Sequence, residues 1–359
     1  MCRKLFLSLA IVSSIFANGC GGGVEKPSGK APSDAGKKET SSSSKQSTTS
    51  GLKVAFISNN PAEFWTIAEA GARKAEQETG AQVSFKRPQD GSAGTQKQII
   101  EDLLAQGVKA ISVSVISPDN QTDFLNEVAQ RVPVLCVDND ASKSKRKCYL
   151  GTANLQAGRS VGDLVKEVMP KGGKVAIFVG QLDPLNARER RQGVIDVLEG
   201  LAESKSLRES PDGKKYGNYE LIGTYTDNVD QAKAKDNAAD VLAKHQNEEN
   251  LCLVGLWAYN PPAILAALKD AKRVGKVKIV GFDEQDITLD AIKSGEIHGT
   301  VVQQPFEFGY QSVKMMVDLV SKPESVKIPA NGIIDVAHKV IKKNNVDEFH
   351  TNLKKQLGK

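Results

Sequence analysis

The sequence predicts an α/β protein made of two doubly wound, parallel-sheet (Rossmann-like) modules in succession. Three observations carry this. Short apolar runs rich in β-branched residues alternate with longer helical patterns. Several runs are apolar almost throughout, as strands covered on both faces require. The whole pattern then restarts after "LGTANLQAGRSVGDLVKEVMPKGG".

In the first module the strand-like runs are 52–58, 81–87, 110–116 and 132–138. Between them, "FWTIAEAGARKAEQETG" and "TQKQIIEDLLAQG" read as helices stopped by Gly80 and Gly107. The second module has runs at 174–180, 219–226, 251–257, 277–283 and 297–304. Pro305 opens a further helix, "PFEFGYQSVKMMVDLVS". The polar insert at 203–218 reads as a surface loop.

Ahead of this body stand Arg3 and Lys4, then an apolar run from Leu5 to Ala17. The run is shorter than the about 20 residues that span a bilayer and fits the core of a secretory signal. "ANGC" follows, and the whole resembles a bacterial lipoprotein signal, with Ala17 where that family usually has Leu. The resemblance implies cleavage before Cys20 and acylation of that residue. The anchor would hold the protein to a membrane by about 0.8 kcal/mol per buried methylene. An ordinary cleaved signal with an incidental cysteine is the alternative. Residues 21–50 contain Val24 as their one bulky aliphatic side chain, a composition that reads as a hydrated linker.

Composition excludes several function classes. Apolar residues make up 40% and charged residues 25%, an ordinary balance for a soluble body, and the net charge of +5 is not gathered into a stripe. Nucleic acid is therefore not an expected partner. Four scattered histidines and no CxxC predict no metal site and no cofactor. Cys136, Cys148 and Cys252 remain beyond the signal. Cys136 and Cys148 flank "KSKRK" and stand where they can pair, although the burial of most free cysteines favours three small core residues.

Ligands of open α/β sheets gather at the carboxyl ends of strands. Those ends carry Ser58, Asn59 and Asn60 with Phe64 and Trp65; Asp138, Asn139 and Asp140; Arg188, Arg190 and Arg191; "TDNVD" with Asn228; Asn260; Asp283; and Gln303 with Gln304. Carboxylates accept from hydroxyls, guanidinium donates, amides do both, and an aromatic ring covers an apolar face. The set suits a sugar. Strand-end Asp and Asn are also common helix caps, so it is the recurrence at successive strand ends that carries the reading.

The motifs "NNP..FW" (59–65), "VPVLCVDND" (132–140), "NARERRQG" (186–193), "IVGFD" (279–283) and "TVVQQP" (300–305) together resemble the type I periplasmic binding proteins, most closely the ribose/galactose-type sugar receptors of ABC transporters. The likeness spans residues 51–340. It implies that Asn60 binds a sugar hydroxyl, that Phe64 and Trp65 flank the ring, and that Asp138, Asn260, Asp283 and Gln303 hold hydroxyls. Arg190 would fork onto the sugar, with Ser58, Asn139 and Asn228 in support. It implies two lobes joined by a three-segment hinge, 51–152 plus 305–335 and 153–304 plus 336–359, closing on ligand. It also implies a non-enzymatic, monomeric, extracytoplasmic receptor delivering sugar to a permease and its ATPase.

The chain departs from the ribose-receptor pattern at four places. Ala62 and Glu63 lengthen the first loop, Asn139 replaces a common arginine, Trp65 replaces Phe, and no aromatic follows "TYTD". Pentose, hexose and other polyols thus stay open. A sensory receptor is an alternative, as is a sugar-modifying enzyme using Asp138 and Asp283 as its carboxylate pair. For the enzyme, no GxSxG elbow, phosphate loop or metal cluster supports catalysis.

Overall fold

The computed structural model describes residues 51–203 and 207–359. The signal segment, Cys20 and the linker lie outside the described residues. Within them the elements run β1 (Lys53–Ile57), α1 (Phe64–Thr79), β2 (Gln82–Lys86), α2 (Ala93–Ala105), β3 (Ile111–Val113), α3 (Pro118–Val128), β4 (Val134–Val137) and β5 (Cys148–Gly151). Then come α4 (Asn154–Val168), β6 (Gly173–Val179), α5 (Leu185–Glu199), β7 (Lys214–Tyr216), β8 (Tyr219–Thr226), α6 (Gln231–Lys244), β9 (Leu251–Gly255) and α7 (Asn260–Asp270). The chain ends with β10 (Lys278–Phe282), α8 (Asp286–Ser294), β11 (Gly299–Val302), α9 (Pro305–Ser321), β12 (Ile333–Asp335), β13 (Lys339–Lys342) and α10 (Val346–Gln356).

Two sheets result. The first has the order β12-β5-β4-β3-β1-β2 and the second β13-β11-β10-β9-β6-β8-β7. All pairings are parallel except β11 with β13 and β7 with β8. With β12 and the two antiparallel edges set aside, the two orders are the same, so β1, β4 and β5 correspond to β6, β10 and β11. The chain passes between the sheets three times: from β5 into α4, from β11 into α9, and from β12 to β13.

The helix stops are those the glycines predict. Gly80 caps α1 in the left-handed region at φ 72°, and Gly107 follows α2 at φ 84°. Four short strands were not expected. β5 and β12 are brief, and β12 sits half exposed at an edge, so neither presents a long apolar run. The sequence "KVIK" of β13 places lysines at both ends. β7 lies inside the insert read as a loop, where it turns back against β8 as a hairpin. Cys136, Cys148 and Cys252 are buried free thiols.

One contact fixes the helix that carries the aromatic pair. At the crossing of α1 and α9, a Cβ on Gly71 would stand 1.9 Å from the carbonyl oxygen of Phe306. One on Gly309 would stand 1.8 Å from that of Ala68. The two backbones touch because each helix presents a glycine to the other. Neither backbone can yield without shifting α1, so Gly309→Ala should destabilise the fold by about 1–3 kcal/mol, the usual cost of overpacking. Urea denaturation of the variant against wild type measures it.

Candidate functional site

The carboxyl ends of both sheets meet around one hollow of about 380 Å³ of atom-free space, its mouth included. Asn59, Asn60, Phe64 and Trp65 line it from the loop after β1 and the first turn of α1, and Asp138 from the end of β4. Asn186 and Arg190 come from α5, Trp257 and Tyr259 from the loop after β9, Asp283 from the end of β10 and Gln303 from the end of β11.

Asp138 and Asp283 occupy corresponding places, and their backbones are built alike. Both lie in the left-handed region, at φ 61° and 62°. The Asp138 amide donates to Leu150 O (3.2 Å) and that of Asp283 to Val301 O (2.7 Å), each on the neighbouring strand. The carbonyl of Asp138 accepts from Tyr149 Oη (2.9 Å) and that of Asp283 from Thr300 Oγ1 (2.8 Å). Aspartate tolerates this conformation better than most residues, at a modest cost in strain.

Arg190 stands between them. Its Nη2 is 3.9 Å from Asp138 and its Nη1 is 3.9 Å from Asp283, and the guanidinium carbon lies 4.0 Å from the centre of the Phe282 ring. Nε donates to Asn154 Oδ1 (2.9 Å) and Nη1 to Leu256 O (3.2 Å). These bonds hold a side chain that is only 2% exposed. Asp138 also accepts from Ser114 Oγ (2.9 Å) and, from the other sheet's side, from Asn186 Nδ2 (3.3 Å). Gln303 Nε2 donates to Asp283 Oδ1 (2.9 Å).

Four buried polar atoms on the lining residues have no hydrogen-bond partner: Arg190 Nη2, Trp257 Nε1, Asn186 Oδ1 and Gln303 Oε1. Two donate and two accept. An unmet buried group costs about 1–3 kcal/mol, and more if charged. The arrangement therefore suits an uncharged guest with several groups that both donate and accept.

Burial raises the pKa of Asp138 against the opposing pull of Arg190. The same cause pushes Asp283 up to about 6, again against Arg190. Glu284, next in sequence and also buried, is raised well above the usual carboxylate range by burial and then by Asp283.

The hollow gathers Asn60, Phe64, Trp65, Asp138, Arg190, Asp283 and Gln303 from the set expected on sequence. Ser58, Asn139, Asn228 and Asn260 do not line it. Ser58 Oγ donates to Asn60 O (2.8 Å) and so shapes the first loop. The Asn139 side chain donates to Val115 O and accepts from the Asn186 amide, joining the two sheets' loops behind the hollow. Asn228 is an exposed turn residue at φ 55°. Asn260 accepts from Trp257 N (3.0 Å) and donates to Asp227 (3.0 Å). Arg191 turns away to Thr224, Ser210 and Asp212. Asp140 pairs with Arg146.

Sequence reasoning did not single out Asn186, Trp257 or Tyr259 as lining residues, although the first opens "NARERRQG" and the others lie in "LWAYN". It also missed Gln96, which is fully buried. Gln96 Nε2 donates to Ser58 O (2.8 Å) and Ser114 O (2.7 Å), tying together the ends of β1 and β3.

Residues 54–324 match the periplasmic binding protein domain. The chain belongs to that family. It is 27% identical over 300 residues to the ribose import binding protein of Haemophilus influenzae, covering 81% of this chain and 92% of the relative. It is 24% identical over 271 residues to the D-allose-binding periplasmic protein of Escherichia coli, covering 72% and 81%. Among solved structures, an ABC transporter solute-binding protein of Burkholderia graminis in complex with D-arabinose superposes with a TM-score of 0.74 at 28% identity, covering 83% of this chain and 97% of that one. The fold is that of the type I periplasmic binding proteins, and these relatives are binding proteins, not enzymes.

The raised pKa of Asp283 has a definite consequence for stability. Its folded value, about 6, lies above the ordinary 3.8, so between these the native state binds more protons than the unfolded chain. The Asp283 contribution to stability is present in full below the ordinary value and is lost as pH rises through about 6. The stability difference between wild type and Asp283→Asn should therefore move in favour of wild type as pH falls from about 7 to about 4. Urea titrations across that range check it; a difference that does not change with pH contradicts it.

Proposed function

We propose that this protein is the extracytoplasmic receptor of a sugar ABC transporter, binding a pentose or hexose monosaccharide in the hollow between its two lobes and delivering it to a permease. The observation that carries this reading is the set of unpartnered atoms on Arg190, Trp257, Asn186 and Gln303, together with two buried carboxylates and an aromatic pair. Sugar hydroxyls both donate and accept, and so meet each of these groups. Ring C–H faces meet Phe64 and Trp65.

The lobes in this reading are 51–152 plus 305–335 and 153–304 plus 336–359. The membership of the two sheets supports this division, since β12 joins the first and β13 the second. Asp138 belongs to one lobe, and Arg190 and Asp283 to the other. A sugar touching all three binds the closed state better than the open one and shifts the equilibrium by that difference. A micromolar dissociation constant, about −8 kcal/mol, is within reach of several charge-assisted hydrogen bonds. Residues 1–20 serve as a lipoprotein signal, Cys20 as the acylated anchor and 21–50 as the tether, and the soluble body acts as a monomer. The motif around Cys20 and the composition of the tether support the anchor and the tether, and the monomer is what the family resemblance implies.

A thermal-shift screen of monosaccharides on residues 51–359 tests the reading. A sugar present at about a hundred times its dissociation constant should add about 2.7 kcal/mol and raise the melting temperature by about 4 °C. Arg190→Ala and Asp283→Ala should each abolish the shift while leaving a cooperative melt. Full affinity in both variants would remove the assigned site.

A further inference from the structure

Trp257 is held more firmly than a loop residue needs to be, yet its one polar atom has nothing to bond. The residue is 8% exposed and lines the hollow. Its Nε1–H is buried and unpartnered. A buried tryptophan N–H ordinarily finds an acceptor.

The loop that carries it is fixed from behind. Asp227, itself buried, takes Tyr259 Oη on Oδ1 (2.5 Å) and Asn260 Nδ2 on Oδ2 (3.0 Å). Asn260 Oδ1 in turn accepts from the Trp257 amide (3.0 Å). The amide of Asp227 donates to Gly180 O (3.3 Å). Gly180 completes the seat: a Cβ there would lie 2.1 Å from Trp257 Cζ3 and 2.7 Å from Tyr259 Oη. The indole rests on bare backbone and meets the Tyr259 ring edge-on, at 6.3 Å between centroids and 85° between planes.

We infer that Trp257 is a ligand-contacting, specificity-determining residue whose Nε1–H donates to one hydroxyl of the bound sugar, and that Asp227, Tyr259 and Asn260 are positioning residues that aim it. This rests on the sugar-binding reading above. Asn260 thereby has a different role from a direct hydroxyl contact. Its two polar atoms hold the loop, and it does not line the hollow. A donor-only group fixed in direction selects a hydroxyl at one ring position, because an acceptor must lie on its line.

The test is calorimetric titration of the full soluble body with D-ribose, D-arabinose, D-allose and D-fucose, carrying forward the tightest binder. Trp257→Phe keeps a ring and deletes the donor. It should weaken that sugar about tenfold, the effect of leaving a buried hydroxyl unmet. The monodeoxy analogues of the sugar then form a double-mutant cycle with this variant. For one analogue, wild type and Trp257→Phe should bind equally, while the others keep the tenfold ratio. Equal affinity of the two proteins for the parent sugar overturns the inference, as does a tenfold ratio with every analogue. In either case wild type still binds sugar, and the receptor reading stands. If wild type binds none of the four, both fall.

A second measurement does not depend on that variant folding. The chain has two tryptophans, Trp65 and Trp257. In Trp65→Phe, saturation with the sugar should shift the emission of Trp257. An unchanged spectrum with heat of binding still present overturns the assignment.

Discussion

A guanidinium buried between two carboxylates that arrive from different sheets is the constraint on which the rest of this molecule depends. Removing three ions from water costs several kcal/mol for each, and Coulomb attraction repays this only with good geometry. Here the geometry is incomplete. Arg190 stands 3.9 Å from both Asp138 and Asp283, too far for a hydrogen bond to either, and Nη2 has no partner. The bonds that Arg190 donates to Asn154 Oδ1 and Leu256 O hold the guanidinium in place without meeting its need. A structure that fixes a charge so firmly and leaves it unsatisfied is organised around something that enters the space between.

The near-repeat of the fold places the carboxylates. β4 and β10 hold the same position in two sheets of the same order, and each ends in an aspartate with positive φ. Each aspartate is bonded through its amide and its carbonyl to the adjoining strand, so both turns are determined by their neighbours. The conformation aims each carboxylate out of the strand end and into the hollow. Asp138 answers to the first sheet and Asp283 to the second. The spacing of the two acceptors is therefore set by how the two sheets are placed.

The fold was legible in the sequence where apolar runs were long and buried on both faces, as in β1, β6 and β9. It was not legible in β5, β7, β12 and β13, which are short, lie near or at sheet edges, or carry lysines. Such strands are specified by the sheet they join and not by their own pattern. Site residues show the same division. Asp138, Arg190 and Asp283 stand at strand ends or in a motif rich in charge, and their charge at those places drew attention to them. Trp257 looked like an ordinary apolar residue at a strand end, and Asn260 like a ligand group. Telling a contacting residue from the one that positions it requires knowing where each polar atom finds its partner, and that is information about three dimensions.

The path from hollow to hinge is short. Gln303, which bonds Asp283 and keeps a free acceptor, is two residues from Pro305, where α9 begins. α9 lies against α1 through Gly71 and Gly309, and α1 begins with Phe64 and Trp65. The segment that crosses between sheets is thus bonded at one end to the second lobe's carboxylate. Through α9 it is also locked against the helix bearing the first lobe's aromatic pair. Packed helices of this kind move as units because their interiors do not deform continuously. Gln303 and Trp65 thus line the same hollow from the two ends of this packed path, with the crossing segment running between them.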